Sequence, residues 1–179
     1  DWSSDVCSSD LHQYEVYQAM LYADSNGVLM IHAAGNDAKN VDEEPNFPTS
    51  HYEFQGEPFE NLLTIGASTR MKGEAMVAEF SNFGAETVDV FAPGLEIYNS
   101  VPQSAYMNLQ GTSMAAPMVT GAAAMLKSYY PSLSMWIIKN ILLDSATRYQ
   151  DFGFPSKSIT GGIINLKEAV KLCEKEVRK

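Results

Sequence analysis

Apolar residues recur at helical spacing from His12 to Asp24, where Val16, Met20 and Ala23 share one side with Tyr17 and Leu21 beside them. Asn26-Gly27 gives that helix a natural stop. The pattern then changes. Val28-Leu29-Met30-Ile31 is a continuous apolar run, as expected of a strand buried on both faces of a parallel sheet, and Leu62-Leu63-Thr64-Ile65-Gly66-Ala67 is a second. Between them the polar stretch from Asp37 to Glu60 carries three prolines and predicts a long surface connection. Met76–Phe80, Thr87–Phe91, Glu96–Val101 and Tyr106–Leu109 predict further short strands.

Helical character returns from Ser113 to Tyr129, now with almost no polar side: Met118, Val119, Met125 and Leu126 are apolar, and Gly121, Ala122, Ala123 and Ala124 are small. Such a helix is expected to be buried nearly all round, its small residues admitting close neighbours. Pro131 ends it. Ser134 is placed to cap a second helix through Trp136, Ile137, Ile138, Ile141 and Leu142. Asn165, with Glu168 three residues on, forms a capping-box pattern for a last helix that frays into the charged tail Glu174–Lys179. Strands alternating with helices indicate an α/β domain with a mostly parallel sheet.

Composition narrows the function more than the fold. At 179 residues and 45% hydrophobic content the chain has the proportions of one globular domain. No run approaches the ~20 apolar residues that cross a bilayer, so no membrane-spanning segment is expected. A formal net charge of −10 argues against a nucleic-acid partner, since phosphate binding needs clustered Lys and Arg, and it is read as a source of solubility. Cys7 and Cys173 lack metal-ligand spacing and say little about redox compartment, and no signal peptide is visible. In residues 1–11 Ser3-Ser4-Asp5 recurs as Ser8-Ser9-Asp10 without any period of helix or strand. That segment is read as an unstructured leader or a sequencing scar, with the fold confined to residues 12–179.

Chemistry concentrates in Gly111-Thr112-Ser113-Met114-Ala115-Ala116-Pro117. Gly111 permits a bend that a Cβ obstructs, and Pro117 is tolerated close to a helix start, where backbone N–H groups lack intrahelical partners. Ser113 thus falls where backbone donors and the positive end of a helix dipole converge, a favourable place for developing negative charge. On these residues alone its hydroxyl is an N-cap or a nucleophile, and both readings stand.

The same run resembles the serine-bearing signature of the subtilisin-like serine peptidases, the subtilases. Ala33-Ala34-Gly35-Asn36 resembles the segment that carries their oxyanion-hole asparagine, and Phe80-Ser81-Asn82-Phe83-Gly84 and Ala92-Pro93-Gly94 are similar in type and order. The resemblance covers Gln13 to Lys171 and implies a three-layer α/β/α fold with a mostly parallel sheet, here incomplete. It also implies a serine endopeptidase acting on peptide or protein substrates, secreted or in the cell envelope. Ser113 then supplies the nucleophile. Asn36 and the Ser113 backbone N–H become the oxyanion donors, of which the loss of one lowers turnover ~10²–10³-fold in subtilisin itself. Ala33, Ala34 and Gly35 become one wall of the pocket for the residue before the scissile bond, leaving room for a sizeable apolar side chain.

Acyl transfer by serine also needs a base and a carboxylate that orients it. His12-Gln13, His32-Ala33 and His51-Tyr52 all lack the glycine that follows the family's histidine, and Asp24-Ser25-Asn26 reads as a C-cap turn instead of the triad aspartate. His32 is expected in the core or at a sheet end, and His51 in solvent. In subtilisin the aspartate and histidine precede the serine, so both are expected in a missing N-terminal half of the domain. A pseudo-peptidase or binding fragment is the alternative. An α/β-hydrolase esterase is set aside, because position 115 is alanine and no histidine follows Ser113. No cofactor is evident. The resemblance allows calcium in the parent protein, but no acidic loop matches a ligand set, and Asp42-Glu43-Glu44 reads as a solvated face. Met118 stands where many relatives carry a histidine outside the triad.

Overall fold

The computed structural model describes residues 12–150 and 153–179, apart from residues 45, 51, 53 and 55. In chain order the elements are helix α1 (Gln13–Ser25), strands β1 (Met30–Ala33), β2 (Leu62–Ser68), β3 (Val90–Pro93), β4 (Ile97–Val101) and β5 (Ala105–Leu109), and helices α2 (Thr112–Tyr129) and α3 (Met135–Asp144). Two short strands, β6 (Thr147–Arg148) and β7 (Gly162–Ile163), precede helix α4 (Leu166–Val177).

The main sheet has the order β1-β2-β3-β7-β6. β1 to β7 in that order run parallel, with Ile31 opposite Leu63, Ile65 opposite Val90 and Phe91 opposite Ile163, and β6 closes the far side antiparallel. β4 and β5 form a separate antiparallel hairpin that leads into α2. All seven residues of β2 are buried, as its apolar run predicts for a strand with neighbours on both sides. β1 is only half-buried along its length, contrary to the expectation from an equally apolar run. Its position explains this: β2 lies on one side, and among the described residues no strand lies on the other.

Helices cover both faces, which gives the expected three layers. Leu63, Ile65, Ala67, Val90 and Ala92 pack against Val119, Ala123 and Leu126 of α2, Ile138 and Leu142 of α3, and Ala169 and Cys173 of α4. On the opposite face Met20 of α1 meets Tyr52, Phe59 and Leu62, and a further cluster joins Ala34, Val41, Val88, Phe91 and Phe154. Gly66 sits where the Phe91 ring crosses the sheet, with no space for a side chain. α3 is capped as expected, Ser134 Oγ accepting the Ile137 N–H. At α4 Asn165 Oδ1 accepts the Glu168 N–H, but Glu168 turns outward to Lys171, so only half of the capping box forms.

Other expectations need correction. Met76–Phe80 is not a strand: Gly73–Met76 is a 3₁₀ turn, and Val77 makes a lone bridge to Ser68. The expected strand at Thr87 begins only at Val90. The 37–60 connection is not confined to the surface, because Val41, Tyr52 and Phe59 are fully buried anchors. α2 is not buried all round either: Pro117, Met118, Thr120, Gly121, Ala124 and Met125 are exposed, and a Cβ on Gly121 would meet nothing within 4 Å. Residues 1–11, where a leader is expected, and His51 lie outside the described residues.

Candidate active site at the mouth of α2

β1, β2 and β3 all end at the same edge of the sheet, the edge where open α/β sheets place their ligands. Two hydrogen bonds link the strand ends to the serine turn: Gly94 N–H donates to Ser68 O at 3.0 Å, and Gly111 N–H to Gly94 O at 2.8 Å. Gly111 then takes φ +141°, a conformation that strains any L side chain, and α2 begins at Thr112.

The N-cap is Gly111, so Ser113 is the second helical residue and does not cap the helix. Its side chain is exposed, and among the described residues nothing hydrogen-bonds its Oγ. The cap comes from elsewhere in the chain. Asn36 Oδ1 accepts both the Thr112 N–H at 2.8 Å and the Thr112 Oγ1–H at 3.1 Å, across a separation of 76 residues. Asn36 is therefore no local turn residue. Its oxygen is held by Thr112, and among the described residues its Nδ2 has no acceptor. A Cβ built on Gly111 would stand 3.6 Å from each of Asn36 Nδ2, Asn36 Oδ1 and Ser113 N, so the carboxamide lies against the serine turn. No acidic residue occupies the first turn of α2 to neutralise its dipole.

Pro117 is the sixth residue of α2, deeper than the sequence suggests, and its ring removes the N–H that would bond the Ser113 carbonyl. Ala33 packs into the main core at the end of β1. Ala34 is buried in the second cluster, and Gly35 turns the chain with φ +102°. The side chains of 33 and 34 thus serve the core, and what this segment presents outward is backbone.

Two residues near the site carry more than the sequence reveals. Fully buried Thr112 accepts the Gly35 N–H on its Oγ1 at 3.2 Å while gripping Asn36. Asn82, noted only as part of a family-like motif, bonds the Asn36 loop on both sides. Of the described histidines, His12 precedes α1, and His32 is half-buried in β1, where burial lowers its pKa to about 4. Asp24 lies in the last turn of α1, whose C-cap is Asn26, and its Oδ1 accepts the Asn61 N–H just before β2. Asp42, Glu43 and Glu44 are exposed and separately engaged, with the Glu86 N–H, Asn40 and Lys39 respectively, and do not converge as calcium ligands would.

The sheet edge thus carries an exposed serine at a helix mouth whose cap is a carboxamide from the loop after β1, on an α/β scaffold. The chain belongs to the subtilase family (peptidase S8), whose family model matches residues 2–160. It is 34% identical over 155 residues to Subtilisin DY of Bacillus licheniformis, covering 86% of this chain and 51% of that protein. It is 38% identical over 117 residues to the Major intracellular serine protease of Bacillus subtilis (strain 168), covering 64% of this chain and 33% of the relative. Among solved structures, the prenylagaramide maturation protease PagA superposes with a TM-score of 0.68 at 28% identity over 87% of this chain and 54% of that one. The A-subunit of the AB5 toxin from E. coli gives 0.76 at 22% identity over 90% and 56%, a likeness of fold. The chain spans about half the length, or less, of the curated relatives it matches.

Proposed function

We propose that this chain is the nucleophile-bearing part of a serine endopeptidase. The observation that carries the reading is the grip of Thr112 on Asn36 Oδ1, which, among the described residues, leaves Asn36 Nδ2 and the Ser113 N–H without acceptors at a turn with an exposed hydroxyl. Ser113 Oγ attacks the peptide carbonyl and its proton passes to a histidine in the remainder of the domain. Negative charge on the former carbonyl oxygen is met by Asn36 Nδ2 and Ser113 N–H. Collapse expels the amine with that proton, and water then hydrolyses the acyl ester. The backbone of Ala33, Ala34 and Gly35 forms one wall for the side chain preceding the scissile bond.

The histidine and its aspartate come from the N-terminal half of the same domain, which covers the free side of β1 and the open face of α2. A mainly apolar groove on that side, lined by Leu29, Ile31, Ala123, Ala124 and Met135 with Lys127 at its edge, supports this placement. Among the described residues no base bonds Ser113 Oγ, and the chain by itself is expected to hydrolyse peptides negligibly. Placement outside the cell or in its envelope follows the commoner habit of the family; the Bacillus subtilis relative is by its name intracellular.

A fluorophosphonate probe tests the reading. It labels Ser113 in the complete protease, hardly labels this chain alone, and labels neither after Ser113→Ala. Absence of labelling in the complete protease removes the nucleophile and favours the pseudo-peptidase. Strong labelling of the isolated chain shows that a base lies within it.

A further inference from the structure

We propose that Asn82 is a positioning residue for catalysis, acting through Asn36 without touching substrate. The inference rests on the oxyanion role given to Asn36 above. Asn82 is 1% exposed, so its part is played from inside. Its Nδ2 donates to Ala34 O at 2.9 Å, and its backbone N–H donates to Gly35 O at 3.0 Å. Its Oδ1 accepts the Asp37 N–H at 2.9 Å and the Lys39 N–H at 3.0 Å. These bonds fall on both sides of Asn36 and none falls on Asn36 itself. Phe80 O and Lys39 O add one rung each, bonding the Ala38 and Phe83 N–H groups.

The loop needs such a clamp. Gly35 at φ +102° and Ala38 at φ +56° are left-handed on either side of Asn36, a path that a free chain would not hold. Contact is close enough that a Cβ on Gly35 would come within 2.4 Å of Asn82 Nδ2. Ser81 fixes the clamp to the sheet, its Oγ accepting the Ala67 N–H and donating to Asn82 O, both at 2.9 Å. The loop thus inherits the rigidity of β2. A side chain for this place must accept two N–H groups and donate to a carbonyl, within the reach of one methylene. A carboxylate there would face the Ala34 carbonyl, oxygen to oxygen.

The test is a double-mutant cycle in the complete protease, with Asn36→Ala, Asn82→Asp and the smaller, uncharged Asn82→Ser. Misplacing a catalytic group by about 1 Å costs on the order of 10²-fold, so each Asn82 variant should lower kcat about 10- to 100-fold with KM within about twofold of wild type. In the Asn36→Ala background the Asn82→Ser change should lower kcat less than about twofold further, because the carboxamide it positions is gone. Should Asn82→Asp fail to fold, Asn82→Ser carries the cycle. Losses that multiply, or a variant whose kcat is unchanged, overturn the positioning role. An Asn36→Ala enzyme with wild-type kcat instead overturns the oxyanion reading beneath it.

Discussion

Replacing Thr112 by valine separates the hydroxyl that grips Asn36 from the rest of the site. The side chain is fully buried and the exchange conserves its shape, so the change is chemical. Two hydrogen bonds vanish: the 3.1 Å donation to Asn36 Oδ1 and the 3.2 Å acceptance of the Gly35 N–H. The 2.8 Å bond from the Thr112 backbone to Asn36 survives. Leaving the half-buried Gly35 N–H without a partner costs about 1–3 kcal/mol of stability. For the carboxamide, losing one of two anchors worth about 1 kcal/mol leaves it correctly turned for a smaller share of the time, and kcat falls about 2- to 10-fold. KM stays constant, because the oxyanion exists only in the transition state. Steady-state hydrolysis of a chromogenic peptide by the complete protease, with a urea melt alongside, reads both numbers. A variant with wild-type kcat, or one in which only KM rises, refutes the grip. A loss as large as that of Asn36→Ala would show that the backbone bond holds nothing.

Stability between pH 4 and 6.5 should depend on two groups that oppose each other. Burial lowers the pKa of His32 to about 4, so the unfolded chain takes up that proton first and the contribution of His32 is lost as pH falls from 6.5 to 4. Burial raises the pKa of Asp89 to about 6, against the Thr64 N–H and Lys139, so its contribution is present at low pH and lost as pH rises from 3.8 to 6. Asp89→Asn should therefore expose a loss on the order of 3 kcal/mol on acidification that wild type conceals, read as urea midpoints across that range; parallel profiles for the two proteins would contradict this. Gly121→Ala should stabilise this chain alone by up to about 1 kcal/mol through helix propensity and destabilise the complete protease, whose other half covers that face; a gain in both would remove the covering half from α2. Gly111→Ala, at φ +141°, should cost about 1–3 kcal/mol in a thermal melt of the complete protease, and an unchanged melting temperature would show that the turn relaxes.

The sequence announced those parts of the fold whose pattern repeats. β2 and α3 have runs long enough to show their period, and Ser134 and Asn165 sit where a helix needs a cap. β6 and β7 have two residues each, too few for any alternation. The Met76–Phe80 alternation is real in burial, with Met76 and Ala78 inside and Glu79 outside, but a turn followed by a single bridge produces it. In the 37–60 connection polar composition hides isolated anchors such as Tyr52 and Phe59, because a loop needs only a few deep side chains to be pinned. Of the candidate site, Ser113 and Asn36 were proposed through family resemblance. Thr112 and Asn82 were not, since their bonds join residues 76 and 43 to 48 positions apart, and no local period encodes such a reach.

The choice of a carboxamide at position 36 follows from what the mouth of α2 requires. An aspartate there could accept from Thr112 N–H and Oγ1–H as Asn36 does, and would suit the positive end of a helix better. It would also place a permanent charge where the proposed mechanism forms its oxyanion, and carry no N–H to meet it. Asn36 instead caps the helix with a neutral oxygen, spends no charge on the dipole, and keeps a donor, its Nδ2, at the serine turn. With no acidic residue in the first turn, the positive potential at Ser113 stays unanswered until a negative charge arrives from the substrate. The stability forgone by capping with a neutral group is thereby available to the transition state.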